Sequence, residues 1–210
     1  MEILLVRHGK PEGAVNPVIT SPGFAQWVRR YNKSGLRPDS RPPADLSASV
    51  ERCVVVSSDL LRARQSAELC VGHVPDLVLP TLREMEIPRY HLPGRFRASS
   101  WLYINRALWV LGRRGAFESF REAKVRARRA ARRLHLLAEA HGRVVAFGHA
   151  YINRYVALEL RSLGWRIERR SRPGYWASRH LRYRVGHDSH QRLSVLSAPI
   201  REVRPAGHSR

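Results

Sequence analysis

Leu4-Leu5-Val6-Arg7-His8-Gly9-Lys10 is a short apolar run that stops abruptly on a cation, an imidazole and a glycine. Such a run marks a buried strand. A strand that stops on arginine and histidine sets both at the carboxyl edge of a sheet, where open α/β sheets bind their ligands. Gly9 has no Cβ, so another group can approach His8 closely. A surface loop after an edge strand reads the same way, so the meaning of this stretch depends on how the other strands end.

Two other apolar runs also end in polar groups. Cys53-Val54-Val55-Val56-Ser57 runs into Ser58-Asp59 and a helix expected over Leu60 to Val71. Ser58 or Asp59 is its expected cap, Leu61, Gln65 and Leu69 lie along or near one face, and Arg62 sits one turn in. Val144 to Gly148 runs into His149-Ala150 and a helix from about Tyr151 to Leu163, ended by Gly164. The clearest helix is Glu118 to His141. There Phe120, Ala123, Ala127, Ala130, Leu134, Leu137 and Ala138 recur at three- and four-residue steps. Arg121, Lys124, Arg128, Arg129, Arg132 and Arg133 mostly take its other faces, and Gly142 stops it.

Elsewhere the pattern is thinner. Ser21-Pro22 reads as an N-cap and first helical proline, opening a short helix with Phe24, Trp27, Val28 and Tyr31 at helical spacing. Gly35 to Ser49 reads as a polar connector, and Asp76 to Leu82 as a third strand broken by Pro80. Residues 83–116 are the least regular, an insertion or lid whose aromatics, Trp101, Tyr103 and Trp109, are expected to be simple core. Residues 165–192 read as basic and irregular, with Leu193 to Leu196 as a last strand. Strand–helix alternation predicts an α/β fold, a three-layer sandwich with a central, mostly parallel sheet. One domain over residues 1–204 is expected, with 205–210 a frayed tail.

The composition fits this. Of 210 residues, 43% are hydrophobic, enough for a substantial core and against general disorder. The sequence has no run of about 20 apolar residues and no secretory leader pattern, so no membrane span and a cytoplasmic location are expected. Cys53 and Cys70 read as small core residues rather than a disulfide framework. The oddity is charge: 38 Lys and Arg against 17 Asp and Glu, a net +21. That field would attract nucleic acid or speed the arrival of phosphorylated metabolites, unless it only decorates solvated faces.

Three segments in order, each at a strand end, carry a resemblance. Arg7-His8-Gly9, Ser57-Ser58-Asp59-Leu60-Leu61-Arg62-Ala63-Arg64-Gln65-Ser66-Ala67 and Phe147-Gly148-His149 resemble the signature segments of the histidine phosphatase superfamily, also called phosphoglycerate mutase-like. The resemblance spans roughly residues 2–165 and implies the phosphoglycerate mutase-like fold. It implies His8 as the nucleophile that takes a phosphoryl group, with Arg7, Arg62 and His149 holding its oxygens. A protonated His149 would add a donor, and so would the backbone N–H of Ala150 at a helix N-terminus. Arginine's planar fork suits two phosphate oxygens at once, so the resemblance implies neither metal nor cofactor. The acid and base are implied to come from Leu82-Arg83-Glu84-Met85-Glu86. Glu84 matches the family position better and Glu86 stays open. The Gly-Xaa-Trp-Xaa-Gly stretch that often follows in the family is missing.

Lys10 and Asn16 follow the nucleophile strand and are substrate contacts or plain loop residues. Asn153-Arg154 cap or decorate a helix, while His187 and His190 beside Asp188 read as surface residues rather than metal ligands. The expectation is a phosphomonoester hydrolase acting through phosphohistidine on a small phosphorylated metabolite. The alternatives are a catalytically idle member binding nucleic acid or another polyanion through its arginines and, behind that, a phosphomutase.

Overall fold

The computed structural model describes residues 1–183. The expected strand at Leu193–Leu196, the His187/His190 pair and the 205–210 tail lie outside the described residues. In chain order the elements are β1 (Glu2–Arg7), β2 (Val18–Thr20), α1 (Ser21–Lys33), α2 (Ala44–Ser49), β3 (Val54–Ser57), α3 (Leu61–Val71) and β4 (Leu77–Val78). A 3₁₀ turn at Pro80–Leu82 leads to β5 (Arg95–Arg97), α4 (Ala98–Val110), α5 (Phe120–His141), β6 (Arg143–Gly148), α6 (Ala150–Ser162), β7 (Arg166–Arg170) and β8 (Ser178–Arg182).

The six-stranded sheet has the order β4-β3-β6-β1-β8-β7. The first four strands are parallel, and β8 and β7 are added antiparallel. β1 and β6 are central and buried on both faces, which is why they read as unbroken apolar runs. Ile3 and Leu5 pack with α5 and α6 residues, while Leu4 and Val6 pack with Leu46, Ala67 and Cys70 from α2 and α3. These are the three expected layers.

α5 begins with a capping box, Ser119 and Glu122 exchanging hydrogen bonds, and ends at Gly142 with φ +78°. Its buried stripe is Ala123, Ala127, Ala130, Ala131, Leu134 and Ala138. The arginines on its other faces are exposed, as the periodicity implies.

Several readings change. α3 turns Leu61 and Leu69 to solvent and buries Arg62, Ala63, Ser66, Ala67 and Cys70. The small residues let the helix lie close to the sheet, and this rotation delivers Arg62 to the sheet edge. Leu60 occupies the N-cap without a side-chain bond, because Ser58 and Asp59 are used elsewhere. Thr20, not Ser21, is the N-cap of α1, and the Ser21 hydroxyl donates to the Tyr90 carbonyl at 2.8 Å. The 35–49 connector contains α2, which buries Leu46. The third strand shrinks to Leu77–Val78 because Pro80 opens the 3₁₀ turn. The basic region after Gly164 holds β7 and β8, strands whose mostly charged residues hide the alternation.

Residues 10–35 and 83–116 come together as a cap. β2 pairs with β5, and Phe24, Trp27 and Val28 of α1 pack on Ala98 and Trp101 of α4 and on Ile87. Trp101 and Trp109 are core, as expected, but Tyr103 is exposed. Cys70 is buried and Cys53 half-buried. Both are free thiols whose pKa burial raises. Among the described residues no helix is long and apolar enough to cross a membrane.

Leu134 is fully buried in the α5 stripe. Leu134→Ala is expected to lower the unfolding free energy by about 2–5 kcal/mol, read from urea unfolding. A loss below about 1 kcal/mol would show that α5 is not the tightly packed outer layer described here.

Candidate active site

β1, β3 and β6 end side by side, and their terminal residues meet at the carboxyl edge of the sheet. Strand alternation separates the two residues of the first motif. Arg7 continues the Ile3/Leu5 face toward α6, whereas His8 continues the Leu4/Val6 face toward Arg62 of α3.

His8 is 2% exposed. Its Nδ1 lies 2.7 Å from the Gly9 carbonyl, which can only accept, so Nδ1 carries the proton. Nε2 is left with its lone pair, and Arg62 Nε donates to it at 3.3 Å. Gly9 is required for close approach: a Cβ there would sit 2.6 Å from Ser40 Oγ and from the Trp176 ring. Its N–H donates to Ser66 Oγ at 2.9 Å, tying the motif to α3.

Arg62 is fully buried. Nη1 donates to the carbonyls of Tyr31 and Asn32, 3.1 and 3.3 Å away at the end of α1, and the guanidinium stands 4.8 Å from the Tyr31 ring centroid. Nη2 has no partner. Arg7 lies over the Tyr175 ring at 4.4 Å and donates from Nη1 to the Gly174 carbonyl, and its Nε has no partner. Neither arginine forms an ion pair among the described residues.

His149 is completely buried and its ring centroid lies 4.9 Å from that of His8. Its Nε2 is 3.0 Å from Ser58 Oγ. That oxygen accepts from Leu60 N, so its own proton is free to go to Nε2. His149 then carries its proton on Nδ1, which has no partner and is available to an anion. A neutral His149 thus donates without the protonation expected from the sequence. Burial first, then the nearby cations, holds the pKa of both histidines well below the usual imidazole value.

Glu84 Oε1 accepts from the N–H groups of Ile152 (2.9 Å) and Met85 (3.0 Å), and Oε2 from Tyr151 (3.3 Å). The carboxylate therefore occupies the second and third amides of α6, while no described bond uses the first, that of Ala150. Glu86 turns the other way and accepts from Glu118 N at 3.1 Å, at the start of α5. Lys10 is exposed. Asn16 Oδ1 accepts from Ser99 N at 2.9 Å, a structural bond at the start of α4. Asn153 is no mere helix decoration: it is buried, and its Nδ2 donates to the Val6 carbonyl at 3.0 Å.

Three site residues escape the sequence reading. Tyr31 reads as ordinary α1 packing, and Tyr175 sits in a basic stretch without pattern. Each stacks on one of the two site arginines. Arg106 of α4 is nearly buried and donates to the Met85 carbonyl at 2.8 Å, bracing the turn after Glu84. Nothing local marks any of the three.

The convergence of orphaned N–H groups and two unpaired guanidiniums makes a buried anion site. It suits a phosphate better than a carboxylate, since its donors come from several directions. Among the described residues no group of three or more His, Cys, Asp or Glu is placed to hold a metal ion.

A family model described as histidine phosphatase superfamily (branch 1) matches residues 3–194. Among solved structures, a His-to-Ala mutant of phosphoserine phosphatase from Entamoeba histolytica, in complex with phosphoserine, has a TM-score of 0.56 and 14% identity over 89% of this chain and 92% of that one. The same organism's phosphoserine phosphatase with 3-phosphoglyceric acid gives 0.50 and 15%, over 85% and 89%. A candidate alpha-ribazole-5'-P phosphatase from Escherichia coli gives 0.53 and 17%, over 78% and 79%. These likenesses are of fold. No curated protein matches the chain in sequence.

Two histidines buried neutral have a consequence for stability. The unfolded chain binds protons at His8 and His149 near pH 6.5, but the folded chain does so only well below it. Stability is therefore fully present above about pH 6.5 and is lost as pH falls below it, by about 1.4 kcal/mol per unit for each histidine. Urea unfolding at pH 7.5 and 5.5 is expected to show this, and His149→Asn to reduce the slope. A slope unaltered in that variant would mean that His149 is not held neutral.

Proposed function

The chain belongs to the histidine phosphatase superfamily, and we propose that it is a phosphomonoester hydrolase acting through a phosphohistidine on a small phosphorylated metabolite. The observation that carries this reading is His8 itself, buried and neutral, its Nε2 lone pair met only by Arg62 Nε, with Arg62 Nη2, Arg7 Nε and His149 Nδ1 left without partners. A module that merely binds polyanions has no use for a buried lone pair.

In the free protein Arg62 Nε occupies that lone pair. An arriving phosphate dianion offers Arg62 a better acceptor, and the same exchange that binds substrate frees the nucleophile. Arg7, Arg62 Nη2, His149 Nδ1–H and the Ala150 amide then share the three equatorial oxygens, where charge accumulates. Glu84 enters the cycle as the carboxylic acid: Nε2 attacks phosphorus, the bond to the leaving oxygen breaks, and Glu84 gives that oxygen its proton, becoming the carboxylate. The Glu84 carboxylate next takes a proton from water, which attacks the phosphohistidine and releases inorganic phosphate. Glu84 is favoured over Glu86 because it lies on the two amides that follow Ala150, while Glu86 is engaged by the Glu118 amide just before α5. The arginines and α6 amides supply the charge that a divalent metal supplies elsewhere.

This catalytic unit is taken to occupy residues 1–204. Phosphoserine and 3-phosphoglycerate, bound by the structural relatives, are natural members of a first substrate screen. His8→Ala is expected to abolish phosphate release while the circular dichroism stays native, and EDTA to change nothing while vanadate inhibits competitively. A chelator-sensitive activity restored by a divalent metal would sink the mechanism. Loss of all activity in the wild type, alongside salt-dependent DNA binding, would favour the polyanion-binding alternative.

Glu84→Gln is expected to slow single-turnover cleavage of alkyl phosphates by about 10²–10⁴-fold and that of nitrophenyl phosphate far less, since nitrophenolate leaves unprotonated. Equal losses on both substrates, with the leaving-group dependence appearing in Glu86→Gln, would move the acid to Glu86.

A further inference from the structure

Beside the proposed phosphoryl site, on the α6 side of Arg7, lies a cavity of about 230 Å³. Its lining includes Arg7, Ala150, Asn153, Arg170, Gly174 and Arg179. Arg7 and Ala150 are also residues of the proposed phosphoryl site, so this cavity adjoins it.

The charge around this cavity is unbalanced. Arg170 and Arg179 are direct cross-strand partners in the β7–β8 hairpin. Like charges set opposite each other destabilise a sheet. Elsewhere in the same hairpin the cost is met: Arg166 faces Arg182, and Arg182 pairs with Glu2 at 2.7 Å and Glu168 at 3.3 Å. Arg170 and Arg179 have no carboxylate partner among the described residues. Arg179 is half-buried, and burial together with Arg170 and Arg154 of α6 lowers its pKa. Three elements thus bring arginines together around a small hollow, Arg7 from β1, Arg170 from β7 and Arg179 from β8, and the charge of Arg154 on α6 acts on Arg179 as well.

We propose that this hollow is a second anion subsite, which takes a second phosphate group of the substrate while the first lies against His8. The proposal rests on the phosphatase reading for its place in the reaction, but not for the binding itself. Its volume lies below the roughly 300–1,000 Å³ of pockets that enclose a drug-sized ligand, and leaves ample room for a phosphate group. The natural substrate would then be a small bisphosphate, and Arg7 would touch both of its phosphates.

The test compares the bisphosphates of ethane-1,2-diol, propane-1,3-diol and butane-1,4-diol with the matching monophosphates. At least one bisphosphate is expected to exceed its monophosphate in kcat/KM by tenfold or more. The double variant R170Q/R179Q should cut that ratio at least tenfold, through KM, and the single R170Q several-fold. R132Q/R133Q removes the same two charges from the exposed face of α5 and should leave the ratio standing. No bisphosphate preferred, or an equal fall in both double variants, would overturn the subsite and leave only the general field of the protein. Calorimetry with the His8→Ala variant makes the same comparison without turnover. If the wild type hydrolyses nothing, the phosphatase reading fails. In that case a tenfold affinity preference for bisphosphate, lost in R170Q/R179Q, still upholds the subsite, and its absence overturns it.

Discussion

Arg62 carries a full positive charge into the interior, and none of its N–H groups meets a carboxylate. A buried unpaired cation is costly, and here the surroundings meet the cost only in part. Two carbonyls at the end of α1, whose dipole is negative there, and the face of Tyr31 stabilise the charge. The remaining deficit is an orphaned Nη2 beside an orphaned Arg7 Nε and a His149 Nδ1. Under the proposed phosphatase reading, a phosphate dianion gives all three an acceptor.

The same field explains the histidines. Next to two guanidiniums and out of water, neither ring holds a second proton readily, so His8 keeps its lone pair on Nε2 and His149 stays a neutral ring with its proton on Nδ1. Ser58 sets which nitrogen of His149 bears the proton, and Gly9 does the same for His8. These tautomers follow from one hydroxyl and one carbonyl rather than from titration. Glu84 acts on α6 in a comparable way: it occupies the amides of Tyr151 and Ile152 at the helix start and not that of Ala150.

Around this centre the fold places two closures of different origin. The cap of α1 and α4 contributes Tyr31 and braces Glu84 through Arg106, and the β7–β8 hairpin folds Tyr175 and Trp176 over the first motif. Trp176 adopts φ +61°, a conformation disfavoured for any side chain with a Cβ. Its N–H donates to the His8 carbonyl and its indole to Ser40, contacts that hold the turn there. Most of the arginine excess lies elsewhere, on solvated faces such as the outer side of α5.

The sequence alone determined the α/β architecture with its mostly parallel sheet, and the strand ends at which polar residues gather. Central strands buried on both faces must be apolar throughout, so their ends are visible as the points where Arg7-His8, Ser57-Ser58 and His149 begin. The alanine stripe of α5 was legible for the same reason: burial imposes a period. Tertiary structure decided what periodicity averages over. Hydropathy turned α3 the wrong way, because the face it buries carries Arg62 and Ser66, polar residues whose partners come from other segments. Tyr31, Tyr175 and Arg106 carry no local mark, because their roles exist only against a distant neighbour; Arg7 and Gly174 are 167 residues apart. The charged strands β7 and β8 were hidden because an edge hairpin has only one face to bury. Which donors remain orphaned, and therefore what the site attracts, is a property of the assembled edge and of no single stretch of chain.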